Sequence, residues 1–286
     1  MKSFLKFLGI LFAIVLLSSL LAPWLFSFLP FKFERIFNRL VMIFTLSAVL
    51  VFVRIRREAL VSYGLGWSRE SPGLFLGCFF AMVLVLSLLV GLRLVFGAAR
   101  WSVQDLSGGE WAWQILRALG AALLVAVIEE FFFRGFLFYN LYRRLAWKLW
   151  PSLAVTNLGY ALIHFVGDQT PFIGPAPALR DSLRLWLAPF SALANWTSYW
   201  PEAAGLFLFG LVLNGLLLAS GSLYAAIGLH AGAVFFIKAD GLFVDFINTG
   251  SLLFGTQQMA DGVLGWIFIL VAGWLLAGRL KGKTSG

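Results

Sequence analysis

From Ala118 to Leu141 the chain is a long apolar run with three charged side chains, Glu129, Glu130 and Arg134, set in the stretch Val127-Ile-Glu-Glu-Phe-Phe-Phe-Arg-Gly135. A run of that length is read as a membrane-spanning helix. An ionised side chain near the bilayer centre costs at least about 2.5–3.5 kcal/mol even on lenient insertion scales. The three charges must therefore face protein or water, so other helices have to surround this one and present partners to it.

Those helices are visible as further apolar runs at Phe7–Phe28, Leu40–Val53, Gly73–Leu92, Leu149–Phe165, Ala204–Ala219, Leu223–Ile237 and Val263–Ala277. With the charged run they make eight candidate spans. The second and the seventh are short and need flanking residues to cross about 30 Å. The chain is 61% hydrophobic and 12% charged, far from the roughly 25% charge of soluble domains. The runs are continuous rather than alternating, which means helices and not a β-barrel. The expected fold is all-α: a polytopic membrane helix bundle of about eight transmembrane helices, forming a single integral-membrane domain over residues 1–286. No internal repeat or low-complexity tract suggests anything else.

The formal net charge of +9 does not point to nucleic acid, because Lys and Arg sit mostly at the ends of the apolar runs. Membrane orientation and anionic lipid headgroups account for them. A cytoplasmic N-terminus places Lys2, Lys6, Arg54, Arg56, Arg57, Arg143, Arg144 and Lys148 inside, and the positive-inside rule then favours both termini inside. The apolar stretch after Lys6 is longer than a signal-peptide core, and no clean cleavage site follows, so an uncleaved first span is expected. Cys78, the single cysteine, excludes an intrachain disulfide and a thiolate metal cluster.

Three connections are informative. Trp101–Arg117 is polar and carries Gly108-Gly109, so it reads as an exposed loop. Gly167–Glu202 is rich in proline and tryptophan; within it Leu179–Leu187 mixes Arg180, Asp181 and Arg184 with leucines, as an interfacial helix does. It reads as an aromatic belt and connector, with a lid over an intramembrane site as the alternative. Ser220-Gly221-Ser222 is so short that the flanking helices must be antiparallel neighbours.

Within the charged helix, Glu130 and Arg134 are spaced i,i+4 with the acid nearer the N-terminus, the better orientation for a helical ion pair. Glu129 points about 100° away and has no partner on its own helix, which makes it the candidate general base. Both histidines of the chain lie in spans: His164, with Tyr160 one turn before it and Asn157 two turns before, and His230 in the seventh run. Histidine suits proton transfer near neutral pH and is a common metal ligand. The sequence contains no His-Glu-x-x-His, Gly-x-Ser-x-Gly, Walker or dinucleotide motif.

Glu129-Glu130-x-x-x-Arg134, an aromatic residue before a histidine in Tyr160-Ala-Leu-Ile-His164, and His230 in a later span resemble the CPBP (Abi) intramembrane proteases. These include the type II CAAX prenyl endopeptidases and the lysostaphin-resistance-like proteins. The resemblance covers about residues 116–238 as a catalytic core. It implies an endopeptidase that hydrolyses a peptide bond of a membrane-associated peptide or small membrane protein. Glu129 and His164 would activate a water, Glu130 and Arg134 would hold the helix in place, Tyr160 would support the site, and His230 would help to bind the oxyanion. Two positions depart from the family pattern: Val234 stands where Asn or Asp is usual, and Tyr160 where Phe is usual. Asn157 and Asn214 are the amides that offer a replacement oxyanion donor.

No cofactor is expected. Zinc is the alternative, since Glu129, His164 and His230 amount to three ligands with an open position. The expected partners are membrane lipids and the peptide substrate, and the expected location is a bacterial inner membrane. The competing readings are an inactive scaffold or immunity-type protein of the same fold, and a proton-coupled transporter, since buried Glu and His also build proton relays.

Overall fold

In the computed structural model six helices among the described residues are long and apolar enough to cross a bilayer. The structure describes residues 2–57, 59–164, 173–194, 196–247, 251–258 and 260–284. The six are α1 (Lys2–Phe26), α2 (Phe33–Ile55), α3 (Ser71–Val95), α7 (Trp196–Ser220), α8 (Leu223–Ala239) and α9 (Val263–Thr284). The other two expected runs are helical as well. Residues 118–141 fall in α4 (Gly108–Glu130) and the π-helical turns that continue it, Phe131–Phe138 and Asn140–Arg144. Leu149–Phe165 falls in α5 (Leu149–His164), whose 16 residues reach about 24 Å; Phe165 is outside the described residues. The chain is an all-α membrane helix bundle. Large apolar side chains at i,i+4,i+8 on α3, Phe80, Leu84 and Leu88, are each more than half exposed, which is the face a protein leaves to lipid.

Element boundaries differ from the sequence reading where amphipathic ends extend an apolar run. α2 starts at Phe33, seven residues before Leu40, because Phe33, Ile36 and Phe37 are buried together while Glu34, Arg35 and Arg39 occupy the rest of the turn. The stretch expected to be an exposed loop, Trp101–Arg117, is only partly one. Ala99–Trp101 forms strand β1, paired antiparallel with β2 (Val244–Phe246), and α4 begins at Gly108. Its start is set by a capping box: the Glu110 amide donates to the Ser107 hydroxyl, and the Ser107 amide donates to the Glu110 carboxylate at 2.9 Å. The Ser-x-x-Glu signal was in the sequence, but Gly108-Gly109 between its two ends argued for a loop. The Ser107 hydroxyl, and after it the Ser107 amide, hold the Glu110 carboxyl below the ordinary range. That contribution to the cap is present above the ordinary glutamate pKa and is lost as pH falls through the lowered one.

Two units are distinguished by their internal packing. The first comprises residues 1–58 and 162–199. In it Phe33, Ile36 and Phe37 of α2 cluster with Ala22 of α1 and Leu185 of α6 (Leu179–Ala194), and the Ser182 hydroxyl donates to the Ser19 carbonyl at 3.4 Å. α6 contains the segment read as an interfacial helix and runs on to Ala194, with Leu183, Trp186 and Leu187 exposed opposite buried Asp181, Ser182 and Leu185. The beginning of the connection that precedes it, 165–172 with Pro171, lies outside the described residues.

The second unit comprises residues 59–161 and 200–286. Its core lies between Met82, Leu86 and Leu89 of α3, Leu213 and Leu216 of α7, Ala225, Ala226 and Leu229 of α8, and Ile269 of α9. α8 is the most enclosed helix, buried from Ala225 through Ala233. It carries His230 and approaches α3 through glycine: a Cβ on Gly228 would strike the Phe75 carbonyl group, its carbon at 2.9 Å. Backbone cannot swing aside as a side chain can. Gly228→Ala is therefore expected to force α8 from α3 and to destabilise by about 1–3 kcal/mol, seen as a lower thermal midpoint in detergent micelles. Gly215→Ala on α7, where a Cβ meets nothing within 4 Å, is the neutral control.

At one end of the same unit Arg93 is buried at the end of α3. Its guanidinium donates to the Phe254 and Thr256 carbonyls and lies over the Phe246 ring at 5.2 Å. Gln257 donates to buried Asp240 at 3.0 Å. These ties hold the segment before α9 against the ends of α3 and α8.

Candidate active site

The helix that carries the three charges changes character at the charges themselves. α4 ends at Glu130 and continues as π-helix from Phe131. Such turns close i→i+5 bonds and occur often at functional sites. Across this junction Arg134 Nη1 donates to Glu130 Oε1 at 3.0 Å, with both side chains wholly buried.

The same carboxylate oxygen has a second partner. His230 Nδ1, on α8, lies 2.8 Å from Glu130 Oε1. A carboxylate already paired with arginine accepts hydrogen bonds, so Nδ1 carries a proton. The ring is thereby fixed, with Nε2 as its working nitrogen. Nε2 is 4.0 Å from Glu129 Oε2. That separation is too long for a direct hydrogen bond. Glu129 keeps 26% of its side chain exposed, while Glu130 keeps none. Of the two neighbouring carboxylates, only Glu129 is in part exposed, and its Oε2, the oxygen that faces His230, is buried.

Aromatic rings wall this cluster. The Phe209 ring of α7 meets the His230 imidazole edge-on at 5.6 Å, and Tyr160 meets it nearly perpendicular at 6.1 Å. Tyr160 is buried, packs on Phe133, and has the Arg134 guanidinium over its ring at 4.3 Å. The carboxylate and the aromatic face offset part of the cost of burying this cation, while Arg134 Nε and Glu130 Oε2 have no hydrogen-bond partner in the protein. Gly210, next to Phe209, brings the α7 backbone close: a Cβ there would meet Asn157 Cγ at 2.8 Å and Arg134 Nη2 at 3.0 Å.

The two buried amides lie differently. Asn157 Oδ1 accepts from Arg134 Nη2 at 3.5 Å, and its Nδ2 has no protein partner. Asn214 is buried with neither amide atom partnered, and it follows Phe209 by five residues, about 7.5 Å along α7. His164 closes α5, is half-buried and falls in the first unit. Among the described residues no group of three or more His, Cys, Asp or Glu side chains is placed to hold a metal ion.

Residues 111–236 match the family described as Type II CAAX prenyl endopeptidase Rce1-like. Over this stretch the chain is similar to that family. No curated protein and no solved structure matches the chain. The Rce1-like region contains Glu129, Glu130, Arg134, Asn157, Tyr160, His164, Asn214 and His230, and it supports an intramembrane CAAX-type endopeptidase at the level of the family. The protein is an integral membrane protein.

Within the Rce1-like region the sequence reading missed three contributors. The Glu130–His230 bond joins residues 100 positions apart, and no local spacing announces it. Phe209 and Gly210 lie in a run that reads as uniform apolar span. Glu130 on His230 Nδ1 is a partner of the kind that orients a working imidazole.

Proposed function

We propose that the protein is an intramembrane endopeptidase that cleaves a peptide bond of a membrane-associated peptide or small membrane protein, with water activated by Glu129. The observation that supports this best is the double engagement of Glu130 Oε1 by Arg134 and His230, which turns His230 Nε2 toward the partly exposed Glu129 carboxylate.

In this reaction a water gives its proton to Glu129 as its oxygen bonds to the scissile carbonyl carbon. The carbonyl π pair moves onto the carbonyl oxygen, and His230 Nε2, in its protonated form, donates to that oxyanion. Collapse re-forms the carbonyl and breaks the C–N bond. The leaving nitrogen takes the proton from Glu129, so that one water is consumed and a carboxylic acid and an amine are released. Glu130 and Arg134 have two roles: they neutralise each other, and they hold His230.

No metal takes part in the proposed reaction. The test uses the purified protein in detergent micelles with two fluorescence-quenched peptides, one carrying a farnesylated cysteine followed by three residues and one with the same residues unprenylated. Cleavage of either peptide is expected, and the preference between them identifies whether the lipid is read. Activity is expected to survive prolonged EDTA treatment and dialysis. Complete loss, restored by added zinc, would assign the water to a metal instead. We place the protein in a bacterial inner membrane, with the N-terminus inside; protease accessibility of tagged termini in right-side-out and inverted vesicles checks the orientation.

A further inference from the structure

In the first unit, α6 exposes two kinds of surface side by side. At about 100° per residue, Leu179, Leu183, Trp186 and Leu187 share a sector of about 100°, and each is more than a third exposed. Arg180 and Arg184 occupy the adjoining sector of about 40°, with side chains 78% and 62% exposed. Asp181, Ser182 and Leu185 are buried on the opposite side, where Leu185 packs with Ala22, Phe33, Ile36 and Phe37 at the turn between α1 and α2. An apolar sector is costly in water, and an arginine is costly among acyl chains. A helix that shows both at once is satisfied where the two media meet, lying in the plane of the headgroups. The turn it packs on is marked for the same level: Trp24 is exposed near the end of α1, and Lys32 and Arg35 are exposed at the start of α2.

The two arginines are also drawn together. Arg184 Nη1 lies 3.6 Å from Asp181 Oδ1, and Arg180 Nε lies 3.9 Å from Asp181 Oδ2. Asp181 is itself fixed, being buried and accepting from the Ala178 amide at 2.9 Å. At those separations the carboxylate pulls both guanidiniums to one side without taking a hydrogen bond from either, which leaves their donors to another acceptor. Two guanidiniums and one carboxylate leave a net charge of +1, the complement of one phosphodiester, and a guanidinium fork matches phosphate oxygens in pairs. We propose that α6 is a binding site for an anionic phospholipid, whose phosphate is held by Arg180 and Arg184 while its acyl chains lie along Leu183, Trp186 and Leu187. A zwitterionic lipid is the weaker ligand, because its own cation already neutralises its phosphate. This site does not depend on the endopeptidase reading.

The test uses the purified full chain in detergent micelles, supplied with phosphatidylglycerol or with phosphatidylcholine of the same acyl chains, and counts retained lipids by native mass spectrometry. Phosphatidylglycerol is expected to stay bound and to raise the thermal midpoint, and phosphatidylcholine is not. Arg180→Gln combined with Arg184→Gln is expected to lower phosphatidylglycerol affinity by about 10–30-fold. The midpoint of that variant in lipid-free micelles should be unchanged, because both side chains are exposed. Arg54→Gln combined with Arg56→Gln makes the same change of charge among exposed cations at the other end of α2 and should keep the affinity of the unmodified protein. Equal retention of the two lipids by the unmodified protein overturns the proposal, and that comparison stands even if a variant does not fold. An equal loss of affinity in the two double variants also overturns it, since it marks attraction by net charge alone. So does displacement of the lipid by an excess of inorganic phosphate at constant ionic strength, which would assign the arginines to a soluble anion.

Discussion

Glu129→Gln is expected to lower kcat by about 10²–10⁴-fold, the usual contribution of a positioned general base, while the protein folds and binds peptide as before. Glutamine has the same shape as glutamate, and Glu129 is the half-exposed member of the cluster rather than a member of the buried pair. The measurement is a steady-state assay on the quenched peptide together with a thermal midpoint in micelles. The expected pattern is a collapsed kcat, a KM close to wild type and an unchanged midpoint, which marks an interaction made only in the transition state. A variant that turns over at the wild-type rate would take the role of general base away from Glu129.

Arg134→Leu is expected to have the opposite pattern, with its main effect on stability. It leaves the Glu130 carboxylate wholly buried with His230 as its remaining recorded partner. Removing one member of a buried ion pair typically costs about 3–5 kcal/mol, so a large fall in thermal midpoint or in folded yield is expected. Replacing both partners, Glu130→Leu with Arg134→Leu, removes the stranded charge and should recover much of that stability, since a well-packed apolar pair is often as stable as the ion pair it replaces. Activity should not recover with it, because His230 Nδ1 has lost the acceptor that fixes its proton and its ring. Stability rescued without activity is the signature of a carboxylate that both neutralises and positions. If the double variant regains turnover along with stability, Glu130 acts only as a counter-ion.

Apolar length and charge decide the class of this protein because they act locally and strongly: a run too apolar for water must cross a membrane, and a charge within it must find a partner. The helical spans, the i,i+4 pairing of Glu130 with Arg134 and the distinct direction of Glu129 are all properties of one helix and can be read from spacing. The start of α2 was harder, because Phe33, Ile36 and Phe37 form an apolar stripe among charged neighbours, and burial of that stripe depends on Ala22 and Leu185. The start of α4 was carried by a short capping signal that a glycine pair obscured. Helix type was not legible at all: nothing in Phe131–Phe138 separates a π turn from an α turn by composition.

By itself, therefore, the sequence determined that the chain is a membrane helix bundle, that three charges must be satisfied inside it, and that one carboxylate on that helix is not spent on its own arginine. Only the tertiary structure decided where the second partner lies. The bond from His230 to Glu130 spans 100 residues and exists because Gly228 lets α8 approach α3 closely and because α8 packs beside α4. Side-chain chemistry is local and can be read in one dimension. A shared oxygen between an arginine and a distant histidine depends on how helices pack, and no pattern along the chain encodes that distance.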